Sequence, residues 1–439
     1  LAKSTKRPKV KIYVKEGFVT DNSNECEAGC YFVKTATNAK FEAAAEAKGA
    51  KIINLAECKR LLGINESIKI IGITGTNGKT TTAAIICATL LNLGYGCGLC
   101  GTRGAFINGE CIDDKALTTS EILRTLSYLK AASEQGCEYF VMEVSSHAIA
   151  QKRIESLEFA MKIFTNLTQD HLDYHGTFEE YARVKSEFFA DDAPKLINID
   201  DRGGIKFNPA NALTYALYAD ADFAPGEYSL EGGIHVTLKT PRGQMVLGSN
   251  LHGEFNLYNL IAAVACVATL TDRPLEQIAR AASKFDGVEG RMEVVSREPL
   301  VIVDFAHTPD GIEKVLNALR HRKIVAVFGA GGDRDRTKRP KMGAIAQKYA
   351  HRLVVTSDNP RSEDPENIIA EICGGLEMNE SVKCISNRKE AIKYALESLA
   401  QDEILVILGK GDETYQEIKG VKYPFSDKEV VRELLDERA

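Results

Sequence analysis

Short apolar runs alternate with longer amphipathic stretches along most of the chain, which is the pattern of strands followed by helices. In the middle of the chain this pattern predicts buried strands at Ile68–Ile73, Tyr139–Val144, Lys162–Thr165 and Lys195–Ile199. Strands that alternate with helices favour a mostly parallel sheet, because parallel neighbours need a crossover connection. Gly-rich turns between residues 223 and 251 predict hairpins, and the apolar stretch Asn256–Leu270 predicts a buried helix.

The two ends of the chain carry the same alternation in separate units. Residues 1–66 combine strand-like runs at Lys9–Val14 and Tyr31–Val33 with an Ala-rich helix at Phe41–Lys48. Towards the C-terminus four strands alternate with helices, at Leu300–Asp304, Lys323–Phe328, Arg352–Thr356 and Ile404–Leu408. This second pattern predicts a Rossmann-like unit.

Composition excludes several classes of protein. Apolar residues make up 44% and charged residues 26% of the 439, which is typical of folded globular chains. The formal net charge of -6 gives no electrostatic case for nucleic-acid binding, and apolar runs such as Ala83–Leu93 are too short to cross a membrane. Leu1–Lys15 is basic without an apolar run, so we expect no secretory leader, and Leu at position 1 suggests a trimmed start. We expect a cytoplasmic protein.

The 11 cysteines allow two interpretations. Cys97-Gly-Leu-Cys100 is the one CxxC motif, and a redox or metal pair is the first interpretation. The sequence has no second CxxC or pair of histidines at zinc-site spacing. We therefore favour the second interpretation, reduced thiols in a cytoplasmic protein.

Gly75-Thr-Asn-Gly-Lys-Thr80 is the strongest local signal for chemistry. It lies between the strand Ile68–Ile73 and a helix predicted from Lys79 to Leu93, so backbone N–H groups and the positive end of the helix can face one phosphate. Lys79 can reach the β- and γ-phosphates, and the Thr80 hydroxyl can bind Mg²⁺. The strict GxxxxGK[ST] pattern is incomplete, because Ile stands at its first glycine position. A Gly-rich turn without function is the alternative.

We predict three domains from this organisation. They are a small N-terminal α/β domain at 1–66, a central P-loop ATPase-like domain with a mostly parallel sheet at 67–290, and a C-terminal Rossmann-like domain at 291–439. The overall fold class is therefore α/β. Arg291 lies near the junction of the last two domains, where we expect a hinge.

Polar side chains after two later strands are candidates for a metal site. Glu143 ends one strand and can point at phosphate or Mg²⁺, although an exposed Glu is an ordinary outcome there. His171 and His175 have the i, i+4 spacing of a zinc pair, but the acid of HExxH is missing, and loop histidines with other partners are the alternative. Lys185 lies on a helix that Thr177 can cap, and periodicity alone predicts only a solvated lysine.

Six segments carry a combined signal that none carries alone. They are Gly75–Thr80, Met142–His147, Thr165–His171, His252–Asn256 with Asn259, Gly290–Glu293 and Asp304–Asp310. In this order they resemble the Mur ligases, ATP-dependent amide-forming enzymes of peptidoglycan precursor synthesis. The resemblance implies a ligase with ATP as co-substrate and Mg²⁺ as cofactor, and a role in cell-wall biogenesis, cell shape, cell division and the cell cycle.

Further segments near the C-terminus resemble the family members that add meso-2,6-diaminopimelate. They are Gly332–Asp335, Lys338–Pro340, the Asp-Asn-Pro-Arg tetrapeptide Asp358–Arg361 and Gly409–Glu413. The implied reaction joins that amino acid to the D-glutamate of UDP-N-acetylmuramoyl-L-alanyl-D-glutamate through an acyl phosphate. A guanidinium binds a carboxylate through two parallel hydrogen bonds, so Arg361 suits the distal carboxylate that lysine lacks.

The resemblance also implies roles for individual residues. Lys79, His171 and Lys185 are implied in catalysis, and Mg²⁺ is implied at Thr80, Glu143, His171 and Lys185, the last as a carbamate. The implied ATP contacts are Gly75, Thr76, Asn77, Gly78, Lys79, Thr80, Thr81, Asn259, Arg291 and Asp304. The implied diaminopimelate contacts are Arg334, Asp358, Asn359, Pro360, Arg361, Gly409 and Glu413.

The UDP-muramoyl dipeptide is expected to span the first two domains. The implied uridine contacts are Ser23, Thr37, Asn38 and Ala39, and the implied muramoyl-dipeptide contacts are Thr118, Thr119, Ser145, Gln151 and Arg153. Two positions depart from the family: Asn22-Ser-Asn24 stands where Asp-Ser-Arg is usual, and Asp412 stands where His is common.

Two other functions stay open at this stage. The first is a ligase of the same family that adds L-lysine or another amino acid. The second is a P-loop ATPase or nucleotide-binding regulator, which would have no use for Asp358–Arg361 or Gly409–Gly411. We expect a monomer that binds the nucleotide precursor, the amino acid and ATP, without nucleic acid or membrane insertion.

Overall fold

The structure is a computed structural model that describes residues 10–114, 117–201 and 205–437. The first nine residues of the basic segment Leu1–Lys15, for which we expect no leader, lie outside the described residues, as does Lys9 of the first predicted strand. No helix within the described ranges is both long enough and apolar enough to cross a bilayer.

The N-terminal part forms a small sheet with two short helices. Its elements are β1 (Ile12–Tyr13), β2 (Phe18–Thr20), β3 (Tyr31–Val33), α1 (Glu42–Glu46), β4 (Lys51–Ile53) and α2 (Leu55–Leu61). The strands lie in the order β1-β2-β3-β4, with only the first pair antiparallel. The predicted strand Lys9–Val14 was too long, and β2 was missed because its three residues are all buried and show no alternation.

The central part carries the largest sheet and the helices that cover it. Its elements up to the last parallel strand are β5 (Lys69–Thr74), α3 (Lys79–Asn92), β6 (Cys97–Gly101), β7 (Gly104–Ile107), β8 (Glu110–Asp114), α4 (Ile122–Glu134), β9 (Tyr139–Glu143), α5 (Ser146–Ala150), β10 (Phe159–Phe164), α6 (Leu172–His175), α7 (Phe178–Glu187), β11 (Lys195–Asn198) and β12 (Ala212–Tyr215). The strand order is β12-β11-β10-β5-β9-β6-β7-β8. All pairs are parallel except the last two, so the expected mostly parallel sheet is confirmed.

A three-stranded antiparallel sheet and two helices complete this part. They are β13 (Ala224–Ser229), β14 (Ile234–Thr240), β15 (Gly243–Ser249), α8 (Glu254–Leu270) and α9 (Leu275–Ala282). The expected hairpins and the buried helix are therefore confirmed. Helix α8 packs against α3 within one apolar cluster, which fixes the start of α3 relative to the rest of the domain.

The C-terminal part is a second, mostly parallel sheet between helices. Its elements are β16 (Glu293–Arg297), β17 (Leu300–Asp304), α10 (Pro309–Ala318), β18 (Lys323–Phe328), α11 (Lys338–Tyr349), β19 (Arg352–Val355), α12 (Pro365–Cys373), β20 (Val382–Cys384), α13 (Arg388–Glu397), β21 (Glu403–Leu408), β22 (Tyr415–Ile418), β23 (Val421–Pro424) and α14 (Asp427–Asp436). The main order is β16-β17-β21-β18-β19-β20, with β16 antiparallel. This arrangement confirms the Rossmann-like expectation.

The CxxC motif lies within strand β6. Cys97 belongs to the apolar cluster on one face of the sheet, and Cys100 belongs to the cluster on the other face. Neighbouring side chains of a strand alternate between faces, so residues three apart point in opposite directions. The interpretation as a redox pair is therefore wrong, and both cysteines are buried thiols.

Candidate active site

A large cleft lies where the carboxyl ends of the central strands face the C-terminal part. Its volume is 1620 Å³. The residues that line it include the phosphate loop, Glu143, His171, Arg291 and Arg361, so it joins residues more than 280 positions apart in sequence. Hydrogen bonds join the two parts beside the cleft; among them, the Asn77 amide donates to Asp310 at 2.6 Å, and Lys341 donates to Gln169 at 2.7 Å.

Two glycines fix the path of the phosphate loop between β5 and α3. Gly75 and Gly78 have φ angles of 152° and 86°. A side chain at Gly75 would collide with the Thr165 hydroxyl, and one at Gly78 would collide with the Asn259 amide. Glycine is therefore required at both positions for conformation and for space. The loop can approach an anion with its backbone N–H groups at the start of α3.

The lysine of this loop is folded back onto it. Lys79 Nζ donates to the carbonyl oxygens of Gly75 at 2.7 Å and Thr76 at 2.9 Å. Burial lowers the pKa of Lys79, and the carboxylates of Glu143 and Asp170 partly offset that effect. The ammonium thus lies beside the position at which the loop amides would hold phosphate.

Glu143 ends β9 and its carboxylate lies next to the phosphate loop. The hydroxyls of Thr80 and Thr102 each donate to Glu143 Oε2 at 3.1 Å, and the Thr102 N–H donates to Oε1 at 2.9 Å. A side chain at Gly101 would overlap this carboxylate, so the glycine makes room for it. Glu143 is buried and directed at the loop, so the exposed-Glu alternative is wrong.

His171 and Lys185 also lie close to Lys79 of the loop. Asp170 accepts a hydrogen bond from the His171 N–H at 2.9 Å and lies 3.4 Å from Lys338 Nζ. Burial lowers the pKa of His171 to about 3, so this imidazole is neutral. Burial alone would raise the pKa of Asp170, but the charge of Lys338 holds it well below its ordinary value. A neutral imidazole and an ionised carboxylate therefore stand side by side.

Lys185 is 1% exposed and does not point into solvent. Its Nζ donates to the Thr74 hydroxyl at 3.3 Å and lies over the Tyr181 ring, 4.9 Å from the centroid. Burial, and next the charge of Lys79, hold the pKa of Lys185 well below its ordinary value. The expectation of a solvated lysine from periodicity is wrong, and the side chain is suited to the neutral amine form.

The nucleotide candidates occupy the end of the cleft nearest the domain junction. Asn259 on α8 accepts from the Thr82 hydroxyl at 3.2 Å. The Arg291 guanidinium lies over the Phe305 ring at 4.1 Å. Asp304 accepts from the backbone N–H groups of Met292 and Ala306, each at 2.7 Å. The carboxylate of Asp304 therefore holds the backbone at the expected hinge, and its contact with nucleotide stays a prediction.

Two guanidinium groups mark the other end of the cleft. Arg361 donates to the Gly332 carbonyl at 2.7 Å and lies 3.7 Å from the carboxylate of Glu417. Arg334 donates to the Asp333 carbonyl at 3.1 Å. Burial, and then the charge of Arg361, lower the pKa of Arg334, so the two cations lie close enough to repel one another. An anion between them would relieve this repulsion.

The rest of the tetrapeptide lies beside these arginines in a buried network. The Asn359 amide donates to Glu413 at 2.8 Å and accepts from Lys410 at 3.2 Å, and Lys410 also lies 2.8 Å from Glu413. Burial would raise the pKa of Asp358, but Lys410 and Arg388 hold it below its ordinary value. Gly409 is required here because a side chain would meet the Asp358 carboxylate.

The expected dipeptide contacts form a network behind the Glu143 strand. The Thr119 hydroxyl donates to the Glu143 carbonyl at 2.9 Å and accepts from the Ser145 N–H at 2.8 Å. Arg153 donates to the Thr119 carbonyl at 2.9 Å and to the Gln151 amide oxygen. Thr118 lines the cleft, whereas the other expected dipeptide contacts, Thr119, Ser145, Gln151 and Arg153, do not.

The expected uridine contacts lie apart from the cleft in the N-terminal part. Asn38 donates to the carbonyls of Asp21 and Val33 and accepts from the Thr35 N–H, so its amide is already occupied. Ser23, Thr37, Asn38 and Ala39 are all described residues and none lines the cleft. Their contact with uridine stays a prediction.

Sequence reasoning missed several residues that complete the cleft. The sequence places Asp170 and Lys338 within family motifs without indicating a role for either, and it indicates no role for Thr102 or Asp310. Arg339 is fully buried and donates to the carboxylates of Glu363 and Glu371 and, at 3.1 Å, to the Gly331 carbonyl, so it holds the loop that carries Arg334. The one available signal was the Lys-Arg-Pro triplet at 338–340.

Comparison with known proteins identifies the family. Residues 73–267 match the Mur ligase middle domain, and residues 290–411 match the Mur ligase, glutamate ligase domain. The chain belongs to the Mur ligase family. It is therefore an ATP-dependent ligase, as the resemblance implied.

Similar proteins cover nearly the whole chain of this Mur ligase. A Wolinella succinogenes protein named UDP-N-acetylmuramoyl-L-alanyl-D-glutamate–2,6-diaminopimelate ligase is 49% identical over 423 residues, which is 96% of each chain. A Helicobacter hepaticus protein of the same name is 49% identical over 410 residues, 91% of this chain and 88% of that one. The resemblance to the Mur ligases is thus confirmed.

Solved structures agree with the fold. A structure described by the same ligase name superposes with a TM-score of 0.66 at 32% identity, over 100% of this chain and 97% of that chain. A Mycobacterium tuberculosis folylpolyglutamate synthase complexed with ADP and AMPPCP superposes with a TM-score of 0.67 at 20% identity, over 81% of this chain and 91% of that chain. The second likeness concerns the fold alone.

Proposed function

We propose that this Mur ligase joins meso-2,6-diaminopimelate to the D-glutamate of UDP-N-acetylmuramoyl-L-alanyl-D-glutamate, with conversion of ATP to ADP and phosphate. The observation that carries the proposal is that one cleft holds the phosphate loop and, at its other end, the Arg334–Arg361 pair. The names of the Wolinella and Helicobacter relatives support the choice of substrates. The product is a precursor of peptidoglycan.

Amide formation from a carboxylate needs an activated acid. In the proposed reaction the γ-phosphoryl group of ATP passes to the side-chain carboxylate of D-glutamate, and ADP leaves. The amine of diaminopimelate then attacks the carbonyl carbon of the acyl phosphate, loses a proton, and expels phosphate from the tetrahedral intermediate. The protein must therefore neutralise concentrated negative charge and align two reactants.

The residues of the cleft suit these two tasks. Lys79 can exchange its bonds to the loop carbonyls for bonds to phosphate oxygens, because its ammonium already lies beside the loop. Lys338, buried beside Asp170, can add positive charge from the C-terminal part. The Asn77–Asp310 contact brings the two parts together around the transferred group. Closure of the cleft also excludes water, which would hydrolyse an acyl phosphate.

Mg²⁺ is the proposed cofactor, and the donor set on one side of the loop fits it. Glu143 and Thr80 present hard oxygen atoms 3.1 Å apart within the cleft. We propose that they hold Mg²⁺, which would offset the charge of the ATP phosphates, and that His171 helps to hold a second ion. The described residues contain no group of three or more His, Cys, Asp and Glu side chains placed to hold a metal, so ATP oxygens and water would complete the coordination.

Lys185 is the proposed site of a carbamate ligand for that second ion. A neutral amine reacts with carbon dioxide, forming an N–C bond and releasing a proton, and the lowered pKa of Lys185 favours that form. The product is an anionic oxygen ligand in place of a cation. Protein labelled with ¹³C carbon dioxide is expected to give a carbamate carbon signal that is lost in Lys185→Met. An unchanged signal in that variant would contradict the assignment.

The remaining assignments concern the nucleotide precursor and the setting of the enzyme. We propose that Ser23, Thr37, Asn38 and Ala39 contact uridine and that Thr118, Thr119, Ser145, Gln151 and Arg153 contact the muramoyl dipeptide. We also propose a cytoplasmic monomer whose product serves cell-wall growth, cell shape and cell division. The test of location is fractionation of the native cell.

An amino-acid-dependent phosphate-release assay tests the proposal. With ATP, Mg²⁺ and the dipeptide precursor present, phosphate release is expected with meso-diaminopimelate and to be weak with L-lysine, because lysine leaves the Arg361 guanidinium without a carboxylate. Faster turnover with lysine would instead indicate a lysine-adding ligase of the same family. Release that needs neither precursor nor amino acid would instead indicate a simple ATPase.

A further inference from the structure

Two cysteines of the C-terminal part lie side by side outside the cleft. Cys373 ends helix α12 and Cys384 ends strand β20. Their sulfur atoms are 3.3 Å apart. A disulfide bond is about 2.05 Å long, so small side-chain rotations would bring these atoms to bonding distance.

The accessibility of this pair differs from that of the other cysteines. Cys384 is exposed and Cys373 is partly exposed. Cys111 on β8 is exposed as well, but its sulfur contacts the carboxylate of Asp114 at 3.3 Å rather than another thiol. The other eight cysteines are buried. The pair at 373 and 384 is thus open to a reagent from solvent and has its second thiol already in place.

The two thiols also have different chemical roles available to them. Burial, and then the Cys384 sulfur, raise the pKa of Cys373 to about 12. Cys384 is therefore suited to attack first, because it is exposed. Cys373 is suited to attack second, because its sulfur lies 3.3 Å from that of Cys384.

We propose that Cys373 and Cys384 are a reversible disulfide-forming site that reacts with low-molecular-weight disulfides. The Cys384 thiolate attacks one sulfur of the reagent, forms a mixed disulfide and releases one thiolate. Cys373 loses a proton and attacks the Cys384 sulfur, forming the internal bond and releasing the second thiolate. Two protein thiols are oxidised, and one reagent disulfide is reduced to two thiols.

The bond would restrain a helix that supports the amino-acid end of the cleft. It joins the end of α12 to β20, and Glu371 lies on α12 two residues before Cys373. Glu371 pairs with Arg339 at 2.7 Å, and Arg339 donates to the Gly331 carbonyl at 3.1 Å. The modification site is thus connected to the loop of Arg334 through side chains, without contact with the phosphate loop.

The test uses the full-length reduced protein and oxidised glutathione as the probe. After quenching with an alkylating reagent, peptide mass spectrometry is expected to find the peptides of Cys373 and Cys384 joined, with the loss of two hydrogen atoms, and glutathione retained on Cys111. At the pair, the internal disulfide is expected to exceed the mixed disulfide by about tenfold or more, because the second thiol is adjacent. Dithiothreitol is expected to restore both thiols.

Single variants separate the two steps. Cys373→Ser is expected to retain glutathione on Cys384, as Cys111 does, because nothing resolves the adduct. In Cys384→Ser, Cys373 is expected to be modified at least about fivefold more slowly than Cys384 is in Cys373→Ser, since the Cys373 thiol is less exposed and burial raises its pKa. Wild-type protein that retains glutathione on Cys384 and forms no internal bond would overturn the proposal. Circular dichroism of both variants checks that they are folded.

Discussion

The two ends of the cleft are built by different means. The phosphate loop is a continuous run of six residues whose shape is forced by Gly75 and Gly78 and whose lysine is already bonded to it. The amino-acid end is assembled from separate loops around Arg334, Asn359 and Glu413, which approach only when the C-terminal sheet has formed. One end is specified locally, and the other depends on the tertiary fold.

This difference separates the chemistry common to a family from the specificity of one enzyme. A ligase built on this fold needs the phosphate loop for ATP, and the close contacts of Gly75 and Gly78 leave its geometry little freedom for change. The arginines and amide at the other end are proposed to recognise a charged terminus of the amino acid, so exchange of a few side chains there should change the amino acid accepted. Variants of the two ends should therefore have separable effects on ATP and on the amino acid.

The largest effect is expected from Lys79→Met, which removes the cation beside the transferred phosphoryl group. We expect kcat to fall by about 10³-fold, because a preorganised charge at the reacting centre is lost. Stopped-flow phosphate release measures this. Lys69→Met, at the exposed start of β5, the strand that leads into the phosphate loop, is the matched control and should leave kcat within about twofold. Equal losses in both variants would show that the strand, and not the ammonium, is responsible.

The next effect is expected from Arg361→Ala at the other end of the cleft. Loss of a hydrogen bond between charged groups costs about 1.5–3 kcal/mol, so the KM for diaminopimelate should rise by about 10- to 100-fold. The KM for ATP should be unchanged. Steady-state kinetics with each substrate varied in turn measure both values, with Arg183→Ala on the exposed face of α7 as control. A parallel rise in both KM values would contradict the separation of the two ends.

A smaller effect is expected at the contact between the two parts. Asn77→Ala removes the 2.6 Å bond to Asp310 and should lower kcat by about 3- to 30-fold, since closure loses one charge-assisted hydrogen bond. Asp310→Asn retains an acceptor oxygen and should lose less activity. Small-angle scattering with an ATP analogue is expected to show weaker compaction in Asn77→Ala. The same compaction as in the wild type would contradict a role in closure.

Several features of the molecule were predictable from sequence because they are local. The Gly75–Thr80 loop, the parallel strands around it and the hairpins near residue 240 follow from short-range patterns. The location of Arg361 beside Gly332 was not predictable, because a positive φ of 52° turns its backbone and no residue near it in sequence indicates this. Only the resemblance to the family connected the two ends before the structure did.

Charged residues buried on helices were the hardest to interpret. Lys185 and Arg339 lie on helices α7 and α11, and their sequence context is that of surface residues. Their burial depends on partners far away: Thr74 for Lys185, and Glu363 with Glu371 for Arg339. Periodicity describes one element at a time and cannot detect such pairing.

The smallest effect is expected in the pH dependence of stability at the amino-acid end. Hydrogen bonds from Arg339 lower the pKa of Glu363 from 4.5 to about 2. The folded protein therefore keeps this carboxylate ionised where the unfolded chain takes up a proton, so the stabilisation is complete above pH 4.5 and is lost as the pH falls towards 2. We expect Glu363→Gln to reduce the acid-dependent loss of unfolding free energy by about 1 kcal/mol, allowing for solvent screening.

Urea denaturation of both proteins across this pH range measures the effect. Glu227→Gln, in an exposed strand, is the matched control. It should show the same change of unfolding free energy with pH as the wild type. A Glu363→Gln variant with the same slope as the wild type would show that this carboxylate does not respond differently in the folded state.

The central claim is that the two ends of the cleft act on one acyl phosphate. The most direct test supplies dipeptide precursor in which both oxygens of the D-glutamate side-chain carboxylate are ¹⁸O, together with ATP and diaminopimelate, and analyses the released phosphate by mass spectrometry. Transfer of the γ-phosphoryl group to that carboxylate predicts one ¹⁸O atom in each phosphate formed. Phosphate without the label would mean that ATP is cleaved by water, and the account would be contradicted.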